Sequence, residues 1–254
     1  MTNVHSKPRF KRIISGVAAG IMALSMVPGV MAYGEQSTSY PYTVYADSAK
    51  NSIAIKASTI TINGDLFTNG KYIQSAQYVN HNGKVIENIK ENEASEDFDF
   101  TQDLILINNK VWEKWFSKSC GIFDKDISIS TKNFKVNNPK FVNGKCKLNA
   151  NITMNRSIGA DSDIKIAGET LNSTKENCIY SKNGNINIWS KHVNLNGFIY
   201  APNGTVTISS DDINITGVII AKKVVLKCNS NLNLNYSSSV GEFIGTTTEE
   251  LSQN

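Results

Sequence analysis

The sequence predicts an all-β protein, a right-handed parallel β-helix with three short strands per coil and a mixed insertion containing a short helix. Three observations predict it. The line "CIYSKNGNINI" at 178–188 is rewritten at 198–208 as "FIYAPNGTVTI", with Ile-Tyr, Asn-Gly and an alternating apolar pair in the same places. Its landmarks return about every 18 to 20 residues over three passes. Each pass holds three brief runs of alternating Ile, Val and Leu separated by Asn, Gly, Asp and Ser. Such strands bury little alone, because only alternate side chains point the same way. Stacked coils line those side chains up into one interior and pair each backbone group with the coil above or below. An antiparallel sandwich also has frequent short strands, but it needs no fixed three-strand recurrence.

The elements follow in chain order. Residues 1–32 read as a secretory signal peptide: Lys7, Arg9, Lys11 and Arg12 charge its start, "IISGVAAGIMALSMV" is its apolar stretch, and Pro28-Gly29 precedes a cleavage site after Ala32. That stretch is short for a bilayer span and no later one is longer, so the mature chain is expected to be secreted or at the cell surface, with no membrane span. A segment over 33–52 leads into a β-helix domain over 53–236, and a polar tail occupies 237–254. Within the domain "TITINGDLFTNG" (59–70) matches "HVNLNGFIYAPNG" (192–204), and "ISIS" (127–130), "ANITM" (150–154) and "IKIAG" (164–168) read as further rungs. The Asn-Gly pairs at 183–184 and 203–204 are expected at corners that require positive φ. Stacked Asn side chains are expected to form hydrogen-bonded ladders.

An insertion at about 74–126 breaks the repeat. It passes through "ENEASEDFDF" and reaches "VWEKWF", where Val111, Trp112, Trp115 and Phe116 fall at helical spacing. In the third strand of each rung Ile179, Ile199 and Ile219 are expected to face inward. Cys178, Tyr180, Phe198, Tyr200, Val218 and Ile220 then face outward, an apolar stripe that residues 104–123 are expected to cover. The last coil, near Leu232–Tyr236, is expected to be an open end over which Phe243 and Ile244 fold as a cap; end-to-end self-association is the alternative.

The signal peptide, "YPYTVYADS", "IAIKASTITINGDLFTNG" and "VNLNGFIYAPNGTVTI" together resemble the amino-terminal parallel β-helix module of secreted, surface-associated proteins of clostridia and related Gram-positive bacteria. The resemblance spans most of residues 40–236. More distantly, the rung is similar to bactofilin-type polymer-forming solenoids. The resemblance implies a structural or adhesive role and supplies no catalytic residues. The chain departs from the pattern at Lys222-Lys223, where the Asn-Gly corner is missing.

Charge and side-chain chemistry narrow the function. The net charge of +4 comes from scattered residues with no basic stripe, which argues against nucleic acid. Asp211-Asp212, with Asp161 and Asp163, come nearest to the carboxylates of β-helix polysaccharide lyases and hydrolases. Arg156 is the one arginine after the signal segment, and both pairs read as turn residues, with a loose calcium ion as the other use. His81 and His192 belong to no nucleophilic pattern. Cys120, Cys146, Cys178 and Cys228 lack zinc spacing. Export permits three disulfide connectivities; free buried thiols are the other reading. No catalytic, cofactor or metal residues emerge. Trp189, Tyr180, Phe198 and Tyr200 are the candidate contact residues, an aromatic platform for sugar rings unless the insertion covers it. The sequence thus reads as a non-catalytic envelope solenoid whose partner is a cell-wall glycan or another surface protein. A carbohydrate-binding module is the alternative, and a β-helix lyase or hydrolase the third reading.

Overall fold

Ile199 stands between Ile179 and Ile219, three isoleucines in one inward column on consecutive rungs. This is the repeating relation of the whole molecule. A computed structural model describes residues 42–88, 100–173 and 175–245; the expected signal peptide and the acidic run over 91–99 lie outside them.

In chain order the strands are β1 (Tyr42–Ala46), β2 (Ile53–Lys56), β3 (Thr59–Asn63), β4 (Asp65–Thr68), β5 (Tyr72–Ser75), β6 (Tyr78–Asn82) and β7 (Val85–Ile86). After helix α1 (Phe100–Trp115) come β8 (Gly121–Phe123), β9 (Ile127–Val136), β10 (Lys140–Val142), β11 (Cys146–Met154), β12 (Ile158–Ala160), β13 (Ile164–Ser173) and β14 (Asn177–Ser181). The chain ends its described part with β15 (Ile186–Ser210), β16 (Asp212–Cys228), β17 (Asn231–Asn235) and helix α2 (Ser238–Gly245). Every pairing is parallel, and the strands wind as a β-solenoid of about nine turns with three sides. Long strands such as β15 bend round corners and serve more than one side.

The coils are not stacked in chain order. β16 carries β1 and β2 on its free edge, with Val44 opposite Ile219 and Ile53 opposite Val224. β17 carries β3, with Ile60 opposite Leu232. The amino-terminal coils therefore continue the column beyond its carboxy-terminal coil. Any rung offers the same parallel edge and the same alternating interior, so nothing in the rung itself dictates that its neighbour in space be its neighbour in sequence.

Three expectations change as a result. Among the described residues the solenoid is already present at Tyr42, ahead of residue 53, because β1 is a third-side strand. β5–β7 (72–86) form a further coil on β2, β3 and β4 and run well into the stretch from about 74 that was read from the sequence as insertion, and β8 resumes the column before residue 126. Leu232–Tyr236 is no open end, since β3 covers it. Among the described residues the end coils are instead β5–β7 and β8–β9. At the first of these Gln74 and His81 take the columns that Ile55 and Ile62 hold one coil earlier, the polar substitution expected of a terminal repeat.

The interior is a single file of Ile, Val, Leu and Ala from all three sides, nearly all buried. Each fully buried aliphatic side chain contributes about 1.5–3 kcal/mol relative to exposure. Positive φ is found not at Gly184 or Gly204 but at Gly64, Gly144, Gly197 and Gly217, the first three of which also follow an Asn; Gly197 and Gly217 begin third-side strands. There φ is +126° and +152°, and a Cβ on Gly217 would stand 1.8 Å from the Gly197 carbonyl oxygen. Gly184 and Gly204 answer to space instead: a Cβ on Gly204 would lie 1.9 Å from the Gly184 oxygen.

Helix α1 lies along the third side. Ile107, Val111 and Trp115 fall four apart on one helical face. They join Phe116, Cys178, Tyr180, Phe198, Tyr200, Val218 and Ile220 in a second apolar layer. The Trp115 and Phe198 ring centroids are 5.8 Å apart. The insertion thus covers the stripe as its apolar character demands. Val240 of α2 is buried in the same layer.

Candidate binding faces

The three sides of the column have different chemistry. The third is closed. Tyr180 stacks on Tyr200 at 5.4 Å and Phe198 on Tyr200 at 5.0 Å. All three rings are at most 3% exposed, and the Tyr180 hydroxyl donates to Asn108 Oδ1 of α1 at 3.1 Å. Burial, above all, raises the Tyr180 phenol above its ordinary value. These three candidate contacts are packing residues under α1 and form no surface platform. Trp189 is separate from them, on the first side, and 42% exposed.

The second side is mainly a ladder of uncharged amides and hydroxyls, bounded by Lys135 next to Thr153 at one end and by the His192–Asp212 pair along one edge. Its central outward row runs Thr153, Asn172, Asn194, Asn214, Asn233, Thr61 and Asn80 on seven successive rungs. A parallel row runs Asn196, Thr216, Asn235, Asn63 and Asn82. Rungs are spaced about 4.8 Å and alternate residues along a strand about 6.6 Å, so the two rows make a flat grid. Asn side chains bond from rung to rung: Asn63 donates to Asn235 at 2.8 Å and Asn214 to Asn194 at 3.4 Å. The sequence signal was the N-x-N and T-x-T spacing between inward aliphatics.

The first side is basic. Its outward rows contain Lys147 opposite Lys165 and Lys227 opposite Lys56, with Trp189 between the pairs in height. The sequence reading found no basic stripe because Lys147 and Lys165 are 18 residues apart along the chain and Lys56 and Lys227 are 171 apart, and only the winding and its seam bring them onto one side. Beside Trp189 an open groove of about 450 Å³ is lined by Ser209, Asp211, Lys227 and Asn229.

The Asp pairs read from the sequence as turn residues hold the coils together. Asp211 Oδ1 accepts from Asn229 at 2.6 Å, and Asp212 bonds His192 Nδ1 at 3.1 Å on the neighbouring rung. Asp163 accepts the backbone N–H of Asn185 at 2.9 Å, as Asp126 does from Lys145 and Asp65 from Lys84. Asp161 accepts from Asn183 at 3.1 Å. Among the described residues no three His, Cys, Asp or Glu side chains gather in a way that could hold a metal ion. The four cysteines are free thiols. Burial pushes Cys146 up to about 12 and Cys178 well above its ordinary value.

Residues 122–243 match the model of a family described as a domain of unknown function, DUF7305. No curated protein matches the chain. Two solved structures are similar in outline. One is an ice-binding protein from an Antarctic biological consortium, 11% identical with a TM-score of 0.40, the match covering 84% of this chain and 96% of that one. The other is an ice-binding protein from the Antarctic ascomycete Antarctomyces psychrotrophicus, 14% identical with a TM-score of 0.39, covering 78% and 96%. None of these matches is to a clostridial module or a bactofilin, and that resemblance rests on the quoted residues alone. Among the described residues no helix is long and apolar enough to cross a membrane.

Proposed function

We propose that this chain is a non-catalytic, exported β-solenoid that serves as a structural or adhesive element of the cell envelope and lies against an extended, uncharged polar surface through its second side. The observation that carries this reading is the row of seven Thr and Asn residues from Thr153 to Asn80, kept free of charge rung after rung. Hydrogen-bonded amides on a rigid sheet are already ordered, so a flat partner meets them at little entropic cost. The carboxylates that a lyase or hydrolase would need are occupied in rung-to-rung bonds. That supports a binding role over a catalytic one.

Co-sedimentation of the chain with insoluble cell-wall glycan tests this reading. Retention is expected, with loss on N194K/N214K, which places two charges in the middle of the grid. Wall binding that is indifferent to these changes, or affinity for ice without affinity for wall material, rejects the envelope assignment. The carbohydrate-binding alternative is favoured by one specific observation, the exposed Trp189 beside its groove.

A further inference from the structure

The first side carries more positive charge than its own structure balances. Lys147 and Lys165 sit directly opposite on neighbouring rungs, as do Lys227 and Lys56, each pair about 4.8 Å apart at the backbone. Like charges so placed repel. Neither outward row, from Ser128 to Ile73 or from Ser130 to Ser75, contains a carboxylate. Among the described residues none of the four lysines makes an ion pair. By contrast Lys191, which also lines the groove beside Trp189, is paired between coils with Glu169 at 3.0 Å.

Trp189 stands between the two pairs. Ala167 and Ser209 share its row, so small side chains leave the indole standing clear of the sheet. The Lys165 Nζ sits 4.3 Å from the ring centroid. The groove begins at the indole and reaches Lys227, with Asp211 at its rim already engaged by Asn229. An aromatic wall attracts the apolar face of a pyranose ring. Ammonium groups before and after it attract anions. An acidic sugar polymer supplies both in one molecule, repeated along its length.

We propose that the first side binds a chain of acidic sugars, a uronate-type polysaccharide lying along the solenoid axis, with a ring on Trp189 and its carboxylates at Lys165 and Lys227. Lys147 and Lys56 extend the track in the two directions. This rests on the carbohydrate-binding reading given above and names its ligand class and site. It is independent of the second-side grid.

The test uses the full chain with three soluble probes: polygalacturonate, neutral dextran and inorganic polyphosphate. Polygalacturonate is expected to bind and dextran not to. Binding is expected to weaken steeply between about 50 mM and about 500 mM salt, because the lysines are exposed or half-buried. K165Q/K227Q is expected to lose about tenfold or more in affinity. W189A is expected to lose about fivefold for polygalacturonate and nothing for polyphosphate. All these side chains point outward, so circular dichroism should be unchanged. N194K/N214K, on the second side, is expected to leave polygalacturonate binding no weaker, which separates this inference from the envelope reading. No binding of polygalacturonate, or binding indifferent to K165Q/K227Q, overturns the proposal. Equal binding of polyphosphate and polygalacturonate with no effect of W189A reduces the side to a generic polycation and overturns the sugar assignment.

Discussion

Asn63 donates its side-chain N–H to Asn235 Oδ1 at 2.8 Å across 172 positions of sequence. Nearby Ser58 Oγ donates to the Asn229 carbonyl at 2.7 Å. These bonds cross the seam where the first coils of the chain rest on the last, and the seam has the same register as any other pair of rungs.

The seam is testable by coupling. Ile60 and Leu232 are both buried and directly opposite across it. Each change to Ala is expected to cost about 2–5 kcal/mol. Because the two side chains touch, the double variant should deviate from additivity by at least about 0.5 kcal/mol in denaturant unfolding. Strict additivity would place the two coils apart.

Backbone crowding sets a second expectation. Gly217→Ala brings a methyl group against the Gly197 carbonyl at a positive φ and is expected to cost about 2 kcal/mol or more. Gly121→Ala is the control. Its nearest neighbours would be 3.8 Å away, and it should stay within about 0.5 kcal/mol of the parent. Equal denaturation midpoints for the two variants would remove the special role given to Gly217.

The helix over the third side gives the next. Trp115 is 8% exposed and Trp112 36% exposed. Trp115→Ala is expected to cost about 3–5 kcal/mol and to raise binding of a hydrophobic dye, since Phe198 loses its cover. Trp112→Ala, which loses ring contacts to Phe116 and Phe141 at a partly exposed position, should cost clearly less. A reversed order would show that α1 docks through its other face.

Which parts of this were legible in the sequence follows from what a repeat does and does not encode. Alternation between Ile179, Ile199 and Ile219 and their outward neighbours was legible because inward and outward positions recur with fixed letters. The covering helix was legible because an apolar outer stripe needs a partner and "VWEKWF" supplies one. Coil order was not. "TITINGDLFTNG" says that residues 59–70 form a rung, and any rung fits any edge. The site was half legible: Trp189 stood out, whereas Lys147, Lys165, Lys227 and Lys56 looked scattered until the winding put them in two rows. Gly197 was visible as a recurring glycine, but its positive φ was not, since the corners were sought at Asn183-Gly184 and Asn203-Gly204 and not at Asn196-Gly197.

Alkali should weaken the fold. Thiols ordinarily titrate near 9, and burial pushes Cys146 up to about 12 and, together with Cys178, keeps both protonated in the folded state. Burial likewise moves Tyr72 from 10.0 up to about 12. Below pH 9 both folded and unfolded chains hold these protons, and this contribution is fully present. From about pH 9 toward pH 12 the unfolded chain releases protons that the folded chain retains, so stability falls, by an amount on the order of a few kcal/mol from Cys146. Unfolding midpoints measured from pH 7 to pH 11 should drop above pH 9. Over the same range half-buried Cys120 should alkylate well before Cys146 or Cys178. A flat profile with equal labelling rates contradicts this.

The placement of Tyr42–Ile86 on Asp212–Asn235 has a consequence for how the protein is born. A nascent solenoid ordinarily uses each finished turn as the floor for the next. Here Tyr42–Ile86 lacks the floor it rests on until Asp212–Asn235, more than a hundred residues later, has emerged. Contacts this remote in sequence slow folding, and in the interval the waiting strands offer bare edges to any other chain in reach.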